Sequence, residues 1–151
     1  MYGTPGDNGP GTLFGTGAAH VFEHGSGGPN RCTQLAKLTA SDAREYDNFG
    51  LSVAASADTV VVGGGWTPVT GDYSGAEYIY KRHSGGPDAW DEVAKVTVAD
   101  PPPGAPFGRA LSLSSGTLVT GGAHITWVHY LAIFADGFES GDMSAWSAVV
   151  P

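Results

Sequence analysis

The stretch Asn48-Phe-Gly-Leu-Ser-Val-Ala-Ala-Ser-Ala-Asp-Thr-Val-Val-Val-Gly-Gly-Gly65 decides the fold of this chain. Apolar residues alternate with smaller ones from Phe49 to Val53, as in a strand with one buried face. A short polar segment, residues 56–58, follows, and the β-branched run Thr59 to Val62 leads into three glycines. The pattern predicts a β-hairpin with a tight turn.

The same pattern recurs 58 residues later in the chain. Phe107-Gly108 corresponds to Phe49-Gly50, and Gly121-Gly122 corresponds to Gly63-Gly64. The alignment is ungapped, with residues 17–66 matching residues 75–124. A spacing held over several strand candidates is the signature of an internal structural repeat.

Each repeat is predicted to contain four short antiparallel strands, with a glycine-rich turn within each pair. The predicted strands are 17–24, 33–39, 49–55, 59–63, 75–82, 91–98, 107–113, 117–121 and 125–134. Four such strands per repeat are typical of a β-propeller blade. The expected fold class is therefore all-β, with about two and a half blades of a partial propeller.

The number of repeats is too small for a closed ring. The 151 residues hold about 2.6 repeats, whereas propellers contain about 4 to 8 blades. Three interpretations follow: the chain is part of a longer product, it associates with copies of itself to complete a propeller, or it folds as an open stack with exposed faces.

Composition narrows the classes of partner. The chain has 24 glycines, 10 prolines and 41% apolar residues, which favours many short strands over helices or disorder. A net charge of −8 with only seven Lys and Arg argues against binding to nucleic acid or to an anionic membrane surface.

The longest apolar stretch, residues 125–134, is too short to insert across a bilayer. Residues 1–5 lack the basic and apolar regions of a signal peptide, so none is expected in this sequence.

Cys32 is the single cysteine, so it has no partner for an intrachain disulfide. Its counterpart in the next repeat is Trp90, a bulky apolar residue. This correspondence predicts a buried structural thiol at Cys32 rather than a reactive one.

The repeat also carries a family resemblance. Phe49-Gly50 followed by Val61-Val62-Gly63-Gly64, with its second copy from Phe107, resembles the FG-GAP repeat of integrin α-subunit propellers, and most closely a bacterial extracellular type. The resemblance covers residues 17–123. It implies a seven-bladed propeller used in extracellular recognition, and it implies no particular ligand.

The chain departs from this family at the calcium loop. Calcium-binding members carry an Asp-rich loop after the Phe-Gly strand, because Ca²⁺ needs six to eight oxygen ligands. Here that loop is Ser56-Ala57-Asp58 in one copy and Ser114-Ser115-Gly116 in the other. A single carboxylate is insufficient, so neither a metal nor another cofactor is expected.

The C-terminal segment breaks from the repeat. Asp136 to Ser147, preceded by Phe134-Ala135, resembles a short tail found on many secreted proteins of Gram-negative bacteria, and also the truncated first strand of a jelly-roll carbohydrate-binding domain. We therefore divide the chain into FG-GAP-like blades at 1–134 and a C-terminal tail at 135–151.

No catalytic signature is found in the sequence. Gly50-Leu-Ser52-Val-Ala54 approaches a nucleophile elbow, but it lies within a predicted strand and the repeat places Ala110 at the position of the serine. The five histidines lack metal-ligand spacing, and the repeat replaces His20 with Tyr78. We therefore expect no enzyme activity.

The leading hypothesis is a non-enzymatic extracellular or cell-surface binding or adhesion module with a protein or glycan ligand. The aromatic candidates for binding are Tyr46, Trp66, Tyr73 and Trp90, although Trp90 fits core packing at least as well. The alternative is a structural or targeting C-terminal fragment of a larger secreted protein, whose activity lies upstream.

Overall fold

The computed structural model describes residues 1–8, 14–24, 32–64, 75–99, 106–122 and 125–131. These residues form ten β-strands and no helix. In chain order the strands are β1 (Tyr2–Thr4), β2 (Ala18–His24), β3 (Cys32–Leu38), β4 (Phe49–Ser56), β5 (Thr59–Gly64), β6 (Ala76–Arg82), β7 (Trp90–Val96), β8 (Ala110–Ser114), β9 (Thr117–Gly121) and β10 (Thr126–Tyr130).

The described strands form three antiparallel sheets, which we call the first, second and third blades. The first has the order β1-β2-β3, the second β4-β5-β6-β7 and the third β8-β9-β10. Neighbouring strands are also consecutive in sequence, as in the blades of a propeller. The predicted all-β fold with partial propeller blades is confirmed.

The predicted hairpin forms as β4 and β5. Their ladder closes at the pair Ser56 and Thr59, and Ala57 adopts a φ of 49° in the two-residue turn. Ser115 and Gly116 make the corresponding turn of the third blade with φ values of 46° and 79°. Positive φ in a two-residue loop matches the right-handed twist of the flanking strands.

Consecutive blades are joined at the Phe-Gly positions. Phe49 forms an isolated parallel bridge with Gly17, and Phe107 forms the same bridge with Gly75. The ring of Phe49 packs edge-on against Tyr78, with ring centroids 5.2 Å apart. Because both bridges recur at the 58-residue spacing, the repeat is structural as well as sequential.

The core consists of two clusters between blades. Alternate residues of β5 and β6 point to opposite faces of the second blade. The cluster between the first and second blades contains Ala19, Val21, Leu38, Ala40, Phe49, Val60, Val62, Ala76, Tyr78 and Tyr80. The cluster between the second and third blades contains Val61, Ile79, Leu118 and Leu131. The second blade is thus covered on both faces.

The prediction of a buried thiol at Cys32 is wrong, because Cys32 is exposed. Its counterpart Trp90 packs against the cluster between the first and second blades. No described segment covers the corresponding face of the first blade, so the same strand position faces solvent there.

Three further differences concern strand boundaries. Tyr2–Thr4, which was not among the predicted strands, pairs with β2. The strand β8 begins at Ala110 rather than at Phe107, which makes the inter-blade bridge instead. The strand β10 extends over Thr126–Tyr130, and the predicted tail, 135–151, lies outside the described residues.

Candidate functional site

The strand directions place several connectors at one end of the blades. Gly64 pairs with both Phe49 and Ala76, so the start of β4, the end of β5 and the start of β6 lie together. Residues 39–48 lead from β3 into β4 at this end, and residues 14–17 lead into β2. We call residues 14–17 and 39–48 the connector rim.

Tyr46 is the more exposed of the two exposed aromatic residues on the rim. Its side chain and backbone are 63% exposed, and those of neighbouring Phe14 are 56% exposed. The Tyr46 amide donates to the Phe14 carbonyl oxygen at 2.9 Å, and the Asn48 amide donates to Gly15 at 2.9 Å. Two exposed aromatic residues are therefore held side by side by backbone hydrogen bonds.

The backbone at Tyr46 is strained. Tyr46 and Asn48 have φ values of 64° and 51°, in the left-handed region that most residues avoid. The Asn48 side-chain Nδ2 stabilises this conformation by donating to the Tyr46 carbonyl oxygen at 2.7 Å. Such conformations cost roughly 1 to 3 kcal/mol and are concentrated at functional sites.

An ion pair fixes the rim to the second blade. Lys95 Nζ lies 2.6 Å from Asp42 Oδ2 and 4.9 Å from the centre of the Tyr78 ring. The Tyr78 hydroxyl donates to Asp42 Oδ1 at 3.0 Å. Partial burial raises the pKa of Asp42, but the hydrogen bonds from Lys95 and Tyr78 and the charge of Lys95 outweigh burial and hold that pKa below its ordinary value.

A second set of hydrogen bonds involves Glu92. The amide and hydroxyl of Ser41 donate to its two carboxylate oxygens at 3.0 and 2.9 Å. The Tyr80 hydroxyl donates to the Thr39 carbonyl at 2.8 Å and lies 3.3 Å from Glu92 Oε2. Burial raises the pKa of Tyr80, and the Glu92 charge raises it further, so this hydroxyl remains a donor at neutral pH.

Asp47 is the buried carboxylate of the rim, with 1% exposure. Its Oδ2 accepts the Arg44 amide at 2.7 Å, while its Oδ1 has no hydrogen-bond partner among the described residues. Burial raises the pKa of Asp47, the Arg44 amide opposes this, and the Asp42 charge adds to it. Asp47 therefore shapes the loop that presents Tyr46.

The predicted binding residues have different surroundings. Tyr46 is exposed on the rim. Trp90 begins β7, near the opposite end of the blade, and is partly buried against the core. Trp66 and Tyr73 lie outside the described residues. Among the four, the structure therefore locates only Tyr46 on the described rim.

Phe14 and the Asp42–Lys95 pair were not predicted from the sequence. Phe14 is the one large aromatic residue in the turn-rich segment 3–16, and that contrast is a usable signal. Asp42 and Lys95 recur as Asp100 and Lys37 at the 58-residue spacing, which marks both as repeat positions.

The rim offers aromatic faces and carboxylates rather than a reactive constellation. Within the ranges that the structure describes, no group of three or more His, Cys, Asp or Glu side chains could hold a metal ion. Exposed aromatic residues provide stacking surfaces and neighbouring carboxylates accept hydrogen bonds, a combination suited to binding peptides or sugars.

Comparison with protein families identifies one match. Residues 32–80 match the model of the FG-GAP repeat. The matched stretch begins at β3 and ends within β6, so it includes residues 39–48 of the rim. A search of curated proteins gave no match to the chain. In the described ranges, no helix is long and apolar enough to cross a membrane.

Proposed function

We propose, from the premise that this chain contains FG-GAP repeats, that it is a non-enzymatic module that binds a protein or glycan ligand outside the cell. The observation that carries the proposal is Tyr46, exposed on the connector rim yet fixed by hydrogen bonds from two segments. Propeller-type repeats supply a rigid scaffold, and the connectors at one end do the recognition.

Preorganisation supports a binding role for the rim. A loop whose backbone is already fixed loses less conformational entropy when its side chains contact a ligand. Tyrosine adds a large contact area and a hydroxyl that can donate or accept a hydrogen bond. Tyr46 occupies a left-handed backbone position that glycine would adopt without strain.

The expected ligand follows from the charge of the chain. A net charge of −8 repels polyanions, so the proposal excludes nucleic acid and favours neutral glycans or neutral to basic protein segments. FG-GAP repeats usually occur in extracellular proteins, which supports a location outside the cell.

The test uses labelled chain on a printed array of oligosaccharides and on an array of purified extracellular-matrix proteins. We expect wild-type binding to a subset of spots, weakened at least tenfold by Tyr46→Ala and by Phe14→Ala. Alanine at position 46 keeps the same backbone strain, so the substitution tests the ring alone. Tyr46→Phe separates the contribution of the hydroxyl from that of the ring.

The control is Tyr130→Ala, which removes a 73%-exposed tyrosine at the end of β10, next to the turn at Ser115 and away from the connector rim. Its binding should equal that of the wild type. The proposed site is wrong if Tyr46→Ala and Phe14→Ala leave every bound spot unchanged, and the proposed function is wrong if no spot is bound. Turnover on an esterase, glycosidase and phosphatase panel would contradict the non-enzymatic assignment.

A further inference from the structure

The two faces of a blade have distinct chemistry in this chain. One face of the second blade carries Val62, Tyr78 and Tyr80, each at most 3% exposed beneath the first blade. The other face carries Val61 and Ile79, which are buried against the third blade. At each junction, one blade contributes the face that corresponds to Val61 and Ile79. The next blade contributes the face that corresponds to Val62, Tyr78 and Tyr80.

On the first blade, no described residue covers the face that corresponds to Val62, Tyr78 and Tyr80 of the second blade. The pair Tyr2 and His20 occupies the position of Val62 and Tyr78, and Phe22 occupies the position of Tyr80 next to the same β-bulge. The rings of Tyr2 and His20 are 5.8 Å apart, and those of His20 and Phe22 are 6.4 Å apart. We call Tyr2, His20 and Phe22 the aromatic face.

Exposure separates these equivalent positions. Tyr2 is 57% exposed and Phe22 is 38% exposed, whereas Val62 and Tyr80 are 0% and 3% exposed. The pairing of β1, β2 and β3 matches that of β5, β6 and β7, but only the second blade has another described blade against this face. The cost of leaving these side chains in water is removed when another blade covers them.

The third blade presents the face that corresponds to Val61 and Ile79 of the second blade. Val119 occupies the position of Val61 in the β8-β9 hairpin, and Val128 occupies the position of Ile79 in the register of β9 with β10. Both valines are only partly buried, whereas Val61 and Ile79 are buried. We call Val119 and Val128 the valine face.

We infer that the aromatic face of one copy of this chain docks on the valine face of a second copy. The junction between the first and second blades supplies the template. There Val21 and Tyr80, which are the equivalents of Val128 and Phe22, lie in one buried cluster. Docking at both ends of two copies joins their six described blades in a ring, and propellers contain about 4 to 8 blades.

This head-to-tail contact differs from a symmetric stack of two aromatic faces. A heterologous contact closes into a ring when its rotation allows, and it requires both faces of every copy. The inference does not depend on the ligand of the connector rim, so failure of one proposal leaves the other standing.

The test is analytical ultracentrifugation of the full chain over a range of concentrations, in buffer near physiological salt so that the charge of −8 per copy is screened. We expect a monomer–dimer equilibrium. Phe22→Lys and Val128→Glu should each raise the dimer dissociation constant at least tenfold. Val93→Lys, on the exposed edge strand of the second blade, should leave it unchanged.

Mixing the two variants gives the decisive result. One contact of the mixed dimer joins Lys at position 22 to Glu at position 128, and the other is wild type. The dimer dissociation constant of the mixture should therefore be at least tenfold lower than that of either variant alone. Circular dichroism of each variant checks that it remains folded.

Three outcomes would overturn the inference. The wild type could remain monomeric at every concentration, or it could form an open series of larger species instead of a dimer. Phe22→Lys could also abolish association while Val128→Glu has no effect, which would indicate a symmetric stack of aromatic faces.

Discussion

The Thr120 hydroxyl donates a hydrogen bond to Glu77 Oε1 in the interface between the second and third blades, and both residues are 0% exposed. The other carboxylate oxygen of Glu77 has no hydrogen-bond partner among the described residues. The equivalent positions between the first and second blades are Ala19 and Val62, both in the apolar cluster. The repeat therefore contains one apolar and one polar version of the same junction.

Glu77 should make stability depend on pH. Burial raises its pKa to about 7, while the bond from Thr120 opposes this. The folded state therefore holds a proton that the unfolded chain has released between pH 4.5 and 7, so the free energy of unfolding falls as pH rises through this window. From pH 5 to 8 the loss should be about 2 to 3 kcal/mol relative to Glu77→Gln, as measured by urea unfolding.

His129 should have the opposite effect on how the free energy of unfolding depends on pH. Burial lowers its pKa, so its contribution to stability is lost as pH falls below 6.5. His129 is present in both wild type and Glu77→Gln, so its contribution cancels when their free energies of unfolding are subtracted. If both proteins show the same slope between pH 5 and 8, Glu77 is not protonated in the folded state.

The energetic contribution of the Thr120 hydroxyl should depend on the Glu77 carboxylate to which it donates. Thr120→Val leaves the Glu77 carboxylate without its bond, which should cost about 1 to 3 kcal/mol at pH 8. Adding Glu77→Met fills a similar volume and recreates an apolar junction, so the double variant should be at least as stable as wild type. A Thr120→Val effect of the same size in the Glu77→Met background would show that the two side chains are not coupled.

The repeat predicted the local structure because hairpins and turns depend on nearby residues. The β4-β5 hairpin, the turns at Ala57 and Ser115, and the four-stranded second blade all follow from alternation and turn chemistry. The strand β1 was missed because its three residues lack a β-branched run. It is extended through its pairing with β2, which is a tertiary effect.

The candidate site was less predictable because exposure depends on neighbouring blades. Cys32 and Trp90 share one repeat position and differ in burial, since only Trp90 has a blade against its face. Tyr46 was selected as an aromatic residue in a polar connector, and the structure places it on the rim. Its pairing with Phe14 joins two segments about 32 residues apart and has no local sequence signal.

The hydroxyl of Tyr80 should contribute to holding residues 39–48 in place. Tyr80→Phe removes the bond to the Thr39 carbonyl and should cost about 1 kcal/mol. Amide exchange of Ser41 should accelerate, because Glu92 accepts from both Ser41 and Tyr80. Tyr130→Phe is the matched control at a 73%-exposed tyrosine, and equal effects of the two substitutions would contradict the anchoring role.

Glycine at position 50 is required by both backbone conformation and space. Its φ is 92°, and a Cβ there would clash with the backbone carbonyl oxygen of Ala18 in the first blade. Gly50→Ala should therefore destabilise the chain by at least about 2 kcal/mol, because neither the φ value nor the inter-blade spacing can relax cheaply.

The control for this prediction is Gly6→Ala, whose added Cβ would meet no atom within 4 Å. Its stability should stay within about 1 kcal/mol of wild type, since alanine restricts the unfolded chain without a folded-state clash. Thermal and urea unfolding of both variants measure the difference. Equal stability of Gly50→Ala and Gly6→Ala would mean that the junction between the first two blades tolerates a side chain at the Phe-Gly position.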